Sequence, residues 1–135
     1  MIVGLGTDVL EVARMASELR ERTGFRDAVF TPAEITYCEG MRYPALHYAA
    51  RFAAKEALFK AVGANAQSGM RWREAEVLRE ESGRPRIVLH GSTRELAERL
   101  TVDEVFVTLA HTAELASATV VLESRRESGA GRQRG

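Results

Sequence analysis

Cysteine is almost missing: Cys38 stands alone among 135 residues, which excludes an internal disulfide and a multi-cysteine metal site and suits a reducing compartment. Net charge is missing too. Nineteen basic and nineteen acidic residues cancel, so no global field draws the chain to nucleic acid or to an anionic membrane, and any anion site must be local. No uninterrupted apolar run approaches the roughly 18–20 residues that a membrane helix needs. The apolar stretch Met1 to Leu10 has no basic opening and no small-residue cleavage site, and it carries Asp8, so it does not read as a signal peptide. No fixed-period repeat is visible. These absences lead to the expectation of a soluble, cytoplasmic protein with neither nucleic acid nor membrane as partner.

What is present fits one globular domain: 45% of residues are hydrophobic and 28% charged. A chain of this size buries only about two thirds of its unfolded surface, so association into an oligomer is a natural way to bury more.

Ile2-Val3-Gly4-Leu5-Gly6-Thr7-Asp8 predicts a short strand, its period of two placing Gly4, Gly6 and Asp8 on one face. Such a glycine face invites close approach of another element. Val9 to Arg22 shows apolar residues at helical spacing and stops at Thr23-Gly24. Thr31-Pro32-Ala33-Glu34 has the form of a capping box opening a short helix to about Cys38. The segment from Pro44 to Gly63, long and alanine-rich, predicts the principal helix. Two strands around Ser82-Gly83-Arg84-Pro85 form one hairpin, and strands over Glu104 to Ala110 and Ala116 to Glu123 form a second. Between them Ser92-Thr93-Arg94-Glu95 is a further capping box, opening a helix to about Leu100. The expected architecture is α+β, an antiparallel sheet wrapped around the long helix. Residues 1–123 form the domain, and 124–135, too polar to bury a core, form a flexible tail.

On the principal helix, 100° per residue groups Arg51, Phe52, Lys55, Glu56, Phe59 and Lys60 on one broad face, with Ala50, Ala53, Ala54, Ala57 and Ala61 opposite. The alanine face suits tight packing against Gly4 and Gly6. The charged face reads either as a solvated surface with a Glu56–Lys60 pair or as a site. Asp8 is equally open. Asp8-Val9-Leu10-Glu11 fits a capping box for the next helix, whereas a hard cation such as Mg²⁺ takes one or two carboxylates and leaves its other positions to water and phosphate.

Gly4-Leu5-Gly6-Thr7-Asp8-Val9 together with Arg51-Phe52-Ala53-Ala54-Lys55-Glu56-Ala57-Leu58-Phe59-Lys60-Ala61 resembles the two signature motifs of the holo-acyl-carrier-protein synthases, within the 4'-phosphopantetheinyl transferases. Further similarity runs through Phe30-Thr31, Trp72 with Glu76-Val77, Gly83-Arg84-Pro85, Leu89-His90-Gly91 and Leu109-Ala110-His111-Thr112, so that it covers about residues 1–123. The resemblance implies the fold of that family, and transfer of 4'-phosphopantetheine from coenzyme A to a serine of apo acyl carrier protein with release of 3',5'-ADP. It implies that Asp8 and Glu56 ligate Mg²⁺, that Lys60 is catalytic, and that Arg51, Lys55, His111 and Thr112 bind the cofactor-derived nucleotide. It also implies that Arg14 docks the acidic carrier and that the protein is a homotrimer with active sites between protomers; Arg20 and Arg22 read either as further docking residues of the same basic patch or as a solvated surface. The chain departs from the family at Ala110, where a serine is usual, and in the less glycine-rich loop 63–69. Two other functions share these residues, a carrier-protein phosphodiesterase and a non-catalytic coenzyme A or carrier-binding module. The carrier served, whether in fatty acid, polyketide or peptide synthesis, is left open by the sequence, as are the general base and the choice between Mg²⁺ and Mn²⁺.

Overall fold

The computed structural model describes residues 1–63 and 71–125. The chain opens with strand β1 (Ile2–Glu11), followed by helices α1 (Val12–Glu21), α2 (Phe25–Val29), α3 (Pro32–Glu39) and α4 (Pro44–Val62). A single 3-10 turn over Trp72–Glu74 leads into the hairpin β2 (Ala75–Arg79) and β3 (Pro85–Leu89). Helix α5 (Gly91–Arg99) connects to the second hairpin, β4 (Glu104–His111) and β5 (Leu115–Glu123). β1 pairs antiparallel with β5, and β5 with β4, giving a three-stranded sheet in the order β1-β5-β4 beside the two-stranded β2-β3 sheet.

Helix α4 is the centre. Ala53, Ala54, Ala57 and Ala61 are buried with Leu58, Val77, Val120 and Leu122 between the helix and the two sheets. Small residues make the contact with β1 close. A Cβ added to Gly6 would lie 2.0 Å from the carbonyl oxygen of Ala57, and one on Gly4 2.4 Å from that of Ala61. Strand and helix backbones therefore touch in a way only glycine permits. A second cluster, built on Met15, Phe25, Phe30, Cys38 and Tyr48, fills the space between α1, α2, α3 and the first half of α4.

The capping box at α3 forms as its residues dictate: Glu34 N donates to Thr31 Oγ1 at 3.3 Å and Thr31 N donates to Glu34 Oε1 at 2.8 Å. Two other expected caps do not form. Asp8 opens no helix, because β1 continues to Glu11, with Asp8 opposite Ala118 in the ladder and α1 starting only at Val12. At α5 the box within 92–95 is replaced by Glu74, which lies 18 residues upstream of Ser92. Its Oε1 accepts from Ser92 Oγ at 2.7 Å, Thr93 N at 3.0 Å and Thr93 Oγ1 at 2.9 Å. A full carboxylate at a helix N-terminus meets both the free N–H groups and the positive end of the helix dipole. Order also reaches slightly past the expected domain end, since Ser124 is buried and the Arg125 N–H donates to Asp103 Oδ2 at 2.6 Å. The loop over 64–69 and the tail beyond 125 lie outside the described residues.

Candidate functional site

Asp8 and Glu56 come together because β1 and α4 do. Asp8 lies two residues beyond Gly6 on the strand, and Glu56 immediately precedes Ala57, the residue Gly6 touches. Both carboxylates line one cavity of 240 Å³ with Arg14 and Glu18 from α1, Arg22 just past its end, Phe25 from α2 and Phe52 from α4. Lys60, one helical turn beyond Glu56, donates to Asp8 Oδ1 at 2.8 Å and to the carbonyl of Thr7 at 3.1 Å. The i,i+4 pairing of Lys60 with Glu56 gives way to this contact across elements.

Charges in the cavity bias one another. Burial pushes the Glu56 carboxyl above its ordinary value, the Asp8 charge pushes it further, and Lys60 opposes both. The hydrogen bond to Asp8 raises Lys60 in turn. Two carboxylates close enough for one to raise the proton affinity of the other are in a condition that a divalent cation relieves. Both are hard oxygen donors, and a pair of them is the set Mg²⁺ takes when phosphate and water fill its other positions. Among the described residues no group of three or more His, Cys, Asp or Glu gathers as an all-protein cage.

Of the three α1 arginines, the structure brings two to the cavity. Arg14 and Arg22 line it, Arg22 also pairing with Glu18 at 3.1 Å and lying over the Phe25 ring at 5.5 Å. Arg20 is exposed elsewhere on α1 and does not line it. Helical spacing places Phe52 on the charged face with Glu56, whereas Phe25, the other aromatic wall residue, is not singled out in the sequence.

Lys55 is a correction. Expected among the nucleotide contacts, it is fully buried and its ammonium is used up inside the fold. It donates to Glu34 Oε1 at 3.0 Å, to the Trp72 carbonyl at 2.8 Å and to the Ala75 carbonyl at 2.7 Å, while Glu34 Oε2 accepts from Val77 N at 2.8 Å. An ammonium has three protons, and all three are engaged. Burial lowers its proton affinity and Glu34 holds the charge in place. Lys55 ties α4 to α3 and β2 instead of facing a ligand.

Arg51, His111 and Thr112 are not at the carboxylate cavity. Arg51 is 3% exposed, its guanidinium lies 4.1 Å above the Tyr37 ring, and its Nε has no hydrogen-bond partner. His111 ends β4, with its ring 6.2 Å from that of His47. Thr112 Oγ1 accepts from the N–H groups of Glu114 and Leu115, closing the β4–β5 turn. The site residues thus fall into two groups within the chain.

Residues 4–120 match the profile of the 4'-phosphopantetheinyl transferase superfamily. The holo-[acyl-carrier-protein] synthases of Solibacter usitatus and Koribacter versatilis are 43% and 42% identical over 126 and 125 residues, covering 92% and 91% of this chain and 100% and 99% of theirs. A crystal structure of a holo-(acyl-carrier-protein) synthase from Bacillus anthracis in complex with CoA (3',5'-ADP) superposes with a TM-score of 0.76 at 31% identity, covering 92% of this chain and 98% of the other.

Proposed function

This chain belongs to the 4'-phosphopantetheinyl transferase superfamily, and from that membership we propose that it acts as a holo-acyl-carrier-protein synthase. It moves 4'-phosphopantetheine from coenzyme A to a serine of apo acyl carrier protein. The observation that carries this is the meeting of Asp8 and Glu56 at one cavity with Arg14 and Arg22, Lys60 being bonded to Asp8.

The serine oxygen bonds to the phosphorus that bears pantetheine, the bond from that phosphorus to the bridging oxygen breaks, 3',5'-ADP leaves with the electron pair, and the serine proton passes to solvent or a base. Asp8 and Glu56 would hold Mg²⁺, which when bound neutralises pyrophosphate charge. Lys60, positioned by Asp8 and the Thr7 carbonyl, offers a compact positive charge to the leaving phosphate. Arg14 and Arg22 orient an acidic carrier by complementary charge, with Phe25 and Phe52 as the apolar floor. Arg20 contributes to the longer-range field.

Arg51, His111 and Thr112 bind the nucleotide phosphate, and the separation of that group from the carboxylate cavity favours a homotrimer in which neighbouring protomers supply the two halves. The outer face of the three-stranded sheet supports this assembly. Val3, Leu5, Val9 and Phe106 are all exposed there, Leu5 and Val9 above 60%. A contiguous apolar strand face of this kind marks an interface. No described helix is long and apolar enough to cross a membrane, and a cytoplasmic role in lipid metabolism, with the carrier of fatty acid biosynthesis as substrate, fits the proposal.

The test is the intact mass of apo acyl carrier protein after incubation with the protein, coenzyme A and Mg²⁺. A gain of one phosphopantetheine, lost with EDTA and with Glu56→Ala, supports the proposal. No gain with several carriers, while coenzyme A still binds, favours the binding-module alternative.

A further inference from the structure

Two further cavities continue from the carboxylate cavity, and Trp72 joins them. The first, of 290 Å³, shares Arg22, Phe25 and Phe52 with the carboxylate cavity and ends on Trp72. The second, of 630 Å³, shares Ala28 and Trp72 with the first and opens between the start of α3 and the 3-10 turn, where Arg71 and Arg73 line it. Together they make a trough with carboxylates at one end, aromatic rings along the floor and two arginines at the other end. The rings follow one another at 6.2 Å from Phe25 to Phe52 and 4.9 Å from Phe52 to Trp72, and Phe52 and Trp72 keep part of their surface open. Acidic wall groups outside the Asp8–Glu56 pair are engaged within the fold, Glu18 with Arg22 at 3.1 Å and Glu74 with the hydroxyls of Ser92 and Thr93 at 2.7 and 2.9 Å. His90, also on the wall, is bonded to Glu76 at 2.9 Å. Arg71 and Arg73 are exposed, and among the described residues neither guanidinium forms an ion pair.

We propose that Arg71 and Arg73, with Trp72 between them, form a second pole of the carrier-docking surface, and that the trough between the poles seats an acidic amphipathic helix of the acyl carrier protein. The inference rests on the transferase reading, which puts the acceptor serine at the Asp8–Glu56 end. The two ring-to-ring steps bracket the rise of one α-helical turn, about 5.4 Å, so apolar side chains one turn apart on a single helix meet Phe25, Phe52 and Trp72 in order. Cations stand at both ends, Arg14 beside the carboxylates and Arg71 with Arg73 beyond Trp72, and they complement carboxylates flanking that apolar stripe. A buried aromatic middle with a charged rim is the anatomy of a protein interface. One pole alone would let the bound helix pivot. Two poles fix its direction, so the serine end lies over Asp8 and Glu56.

Trp72 is the only tryptophan in the chain, so its fluorescence reports the second pole directly. With the full chain, Mg²⁺ and 3',5'-ADP present, titration with a tryptophan-free apo acyl carrier protein should shift the Trp72 emission, whereas coenzyme A alone should leave it unchanged. In transfer assays Arg71→Gln/Arg73→Gln should raise KM for the carrier about tenfold and flatten its salt dependence, with kcat and the KM for coenzyme A at wild-type values. Arg86→Gln/Arg99→Gln removes the same charge from exposed positions that line none of the three cavities and should keep the wild-type carrier KM. A silent Trp72 while the carrier binds, an unchanged carrier KM in Arg71→Gln/Arg73→Gln, or an equal rise in the control would overturn the inference. An emission shift from coenzyme A alone would overturn it too, giving the trough to the pantetheine arm. Any of these in a protein that still modifies its carrier sinks this surface alone. If the wild type modifies no carrier, the transferase reading falls, and this inference with it.

Discussion

Replacing Gly6 by alanine should damage stability and catalysis together, for one geometric reason. The added Cβ would sit 2.0 Å from the Ala57 carbonyl oxygen and 2.8 Å from the Ala61 nitrogen, where ordinary contact begins at 3.4 Å, a shortfall of 1.4 Å against backbone. Neither side yields easily. β1 is tied to β5 along its length, and Ala57 and Ala61 lie in the buried stretch of α4. Overpacking costs about 1–3 kcal/mol where side chains can adjust. Two backbones cannot, so the upper end, ~3 kcal/mol, is expected, less ~0.4–1 kcal/mol for the stiffer unfolded chain. For a domain of this size that is a fall in Tm of about 8–12 °C. Relief by separating strand from helix carries Asp8 away from Glu56, so kcat should drop at least tenfold even at a temperature where the variant is folded. Gly40→Ala is the contrast. Gly40 has helical backbone angles and its nearest Cβ contact would be 3.4 Å, so Tm and kcat should stay at wild-type values. Thermal unfolding and steady-state transfer assays on the pair decide the matter. A Gly6→Ala protein within 2 °C of wild type, with full kcat, would refute the close β1–α4 contact on which the carboxylate pair depends.

Other perturbations follow from single contacts. Lys55→Met leaves Glu34 buried without its counter-charge and should cost about 3–5 kcal/mol in chemical denaturation, with the double variant Lys55→Met/Glu34→Gln recovering much of it. Hydrogen bonds from Ser92, then Thr93, hold the Glu74 carboxyl down at about 2. Its stabilisation is therefore complete above the ordinary carboxylate value and lost as pH falls toward 2, and Glu74→Gln should flatten the acid limb of Tm against pH in that window. Lys60→Met should lower kcat with little change in Tm, since Lys60 is half-exposed and its bond to Asp8 is a surface one.

Local pattern predicted what local forces decide. The capping box of α3 needs only residues 31 to 34 and forms as written, and the alanines of α4 meet the glycines of β1 because small residues on two regular elements pack in one way. Caps failed where a distant competitor was stronger. Asp8 and Glu11 have capping chemistry, but pairing with β5 extends the strand through both, and at Ser92 and Thr93 the preferred acceptor is Glu74, 18 residues earlier in the chain. Lys55 went astray for the same reason. Helical spacing places it beside Arg51 and Glu56, yet its depth is set by Glu34, Trp72 and Ala75, contacts 17 to 21 residues away that no periodicity reveals.

In the proposed mechanism one strand carboxylate, Asp8, and one helix carboxylate, Glu56, brought together by a glycine contact, act jointly on the donor phosphate. Its most direct test is the Mg²⁺ dependence of phosphopantetheine transfer in the wild type, Asp8→Asn and Glu56→Gln. Each variant should need far more Mg²⁺ and lose at least a hundredfold in rate, with Tm little changed. Wild-type rate and Mg²⁺ dependence in either variant would contradict it.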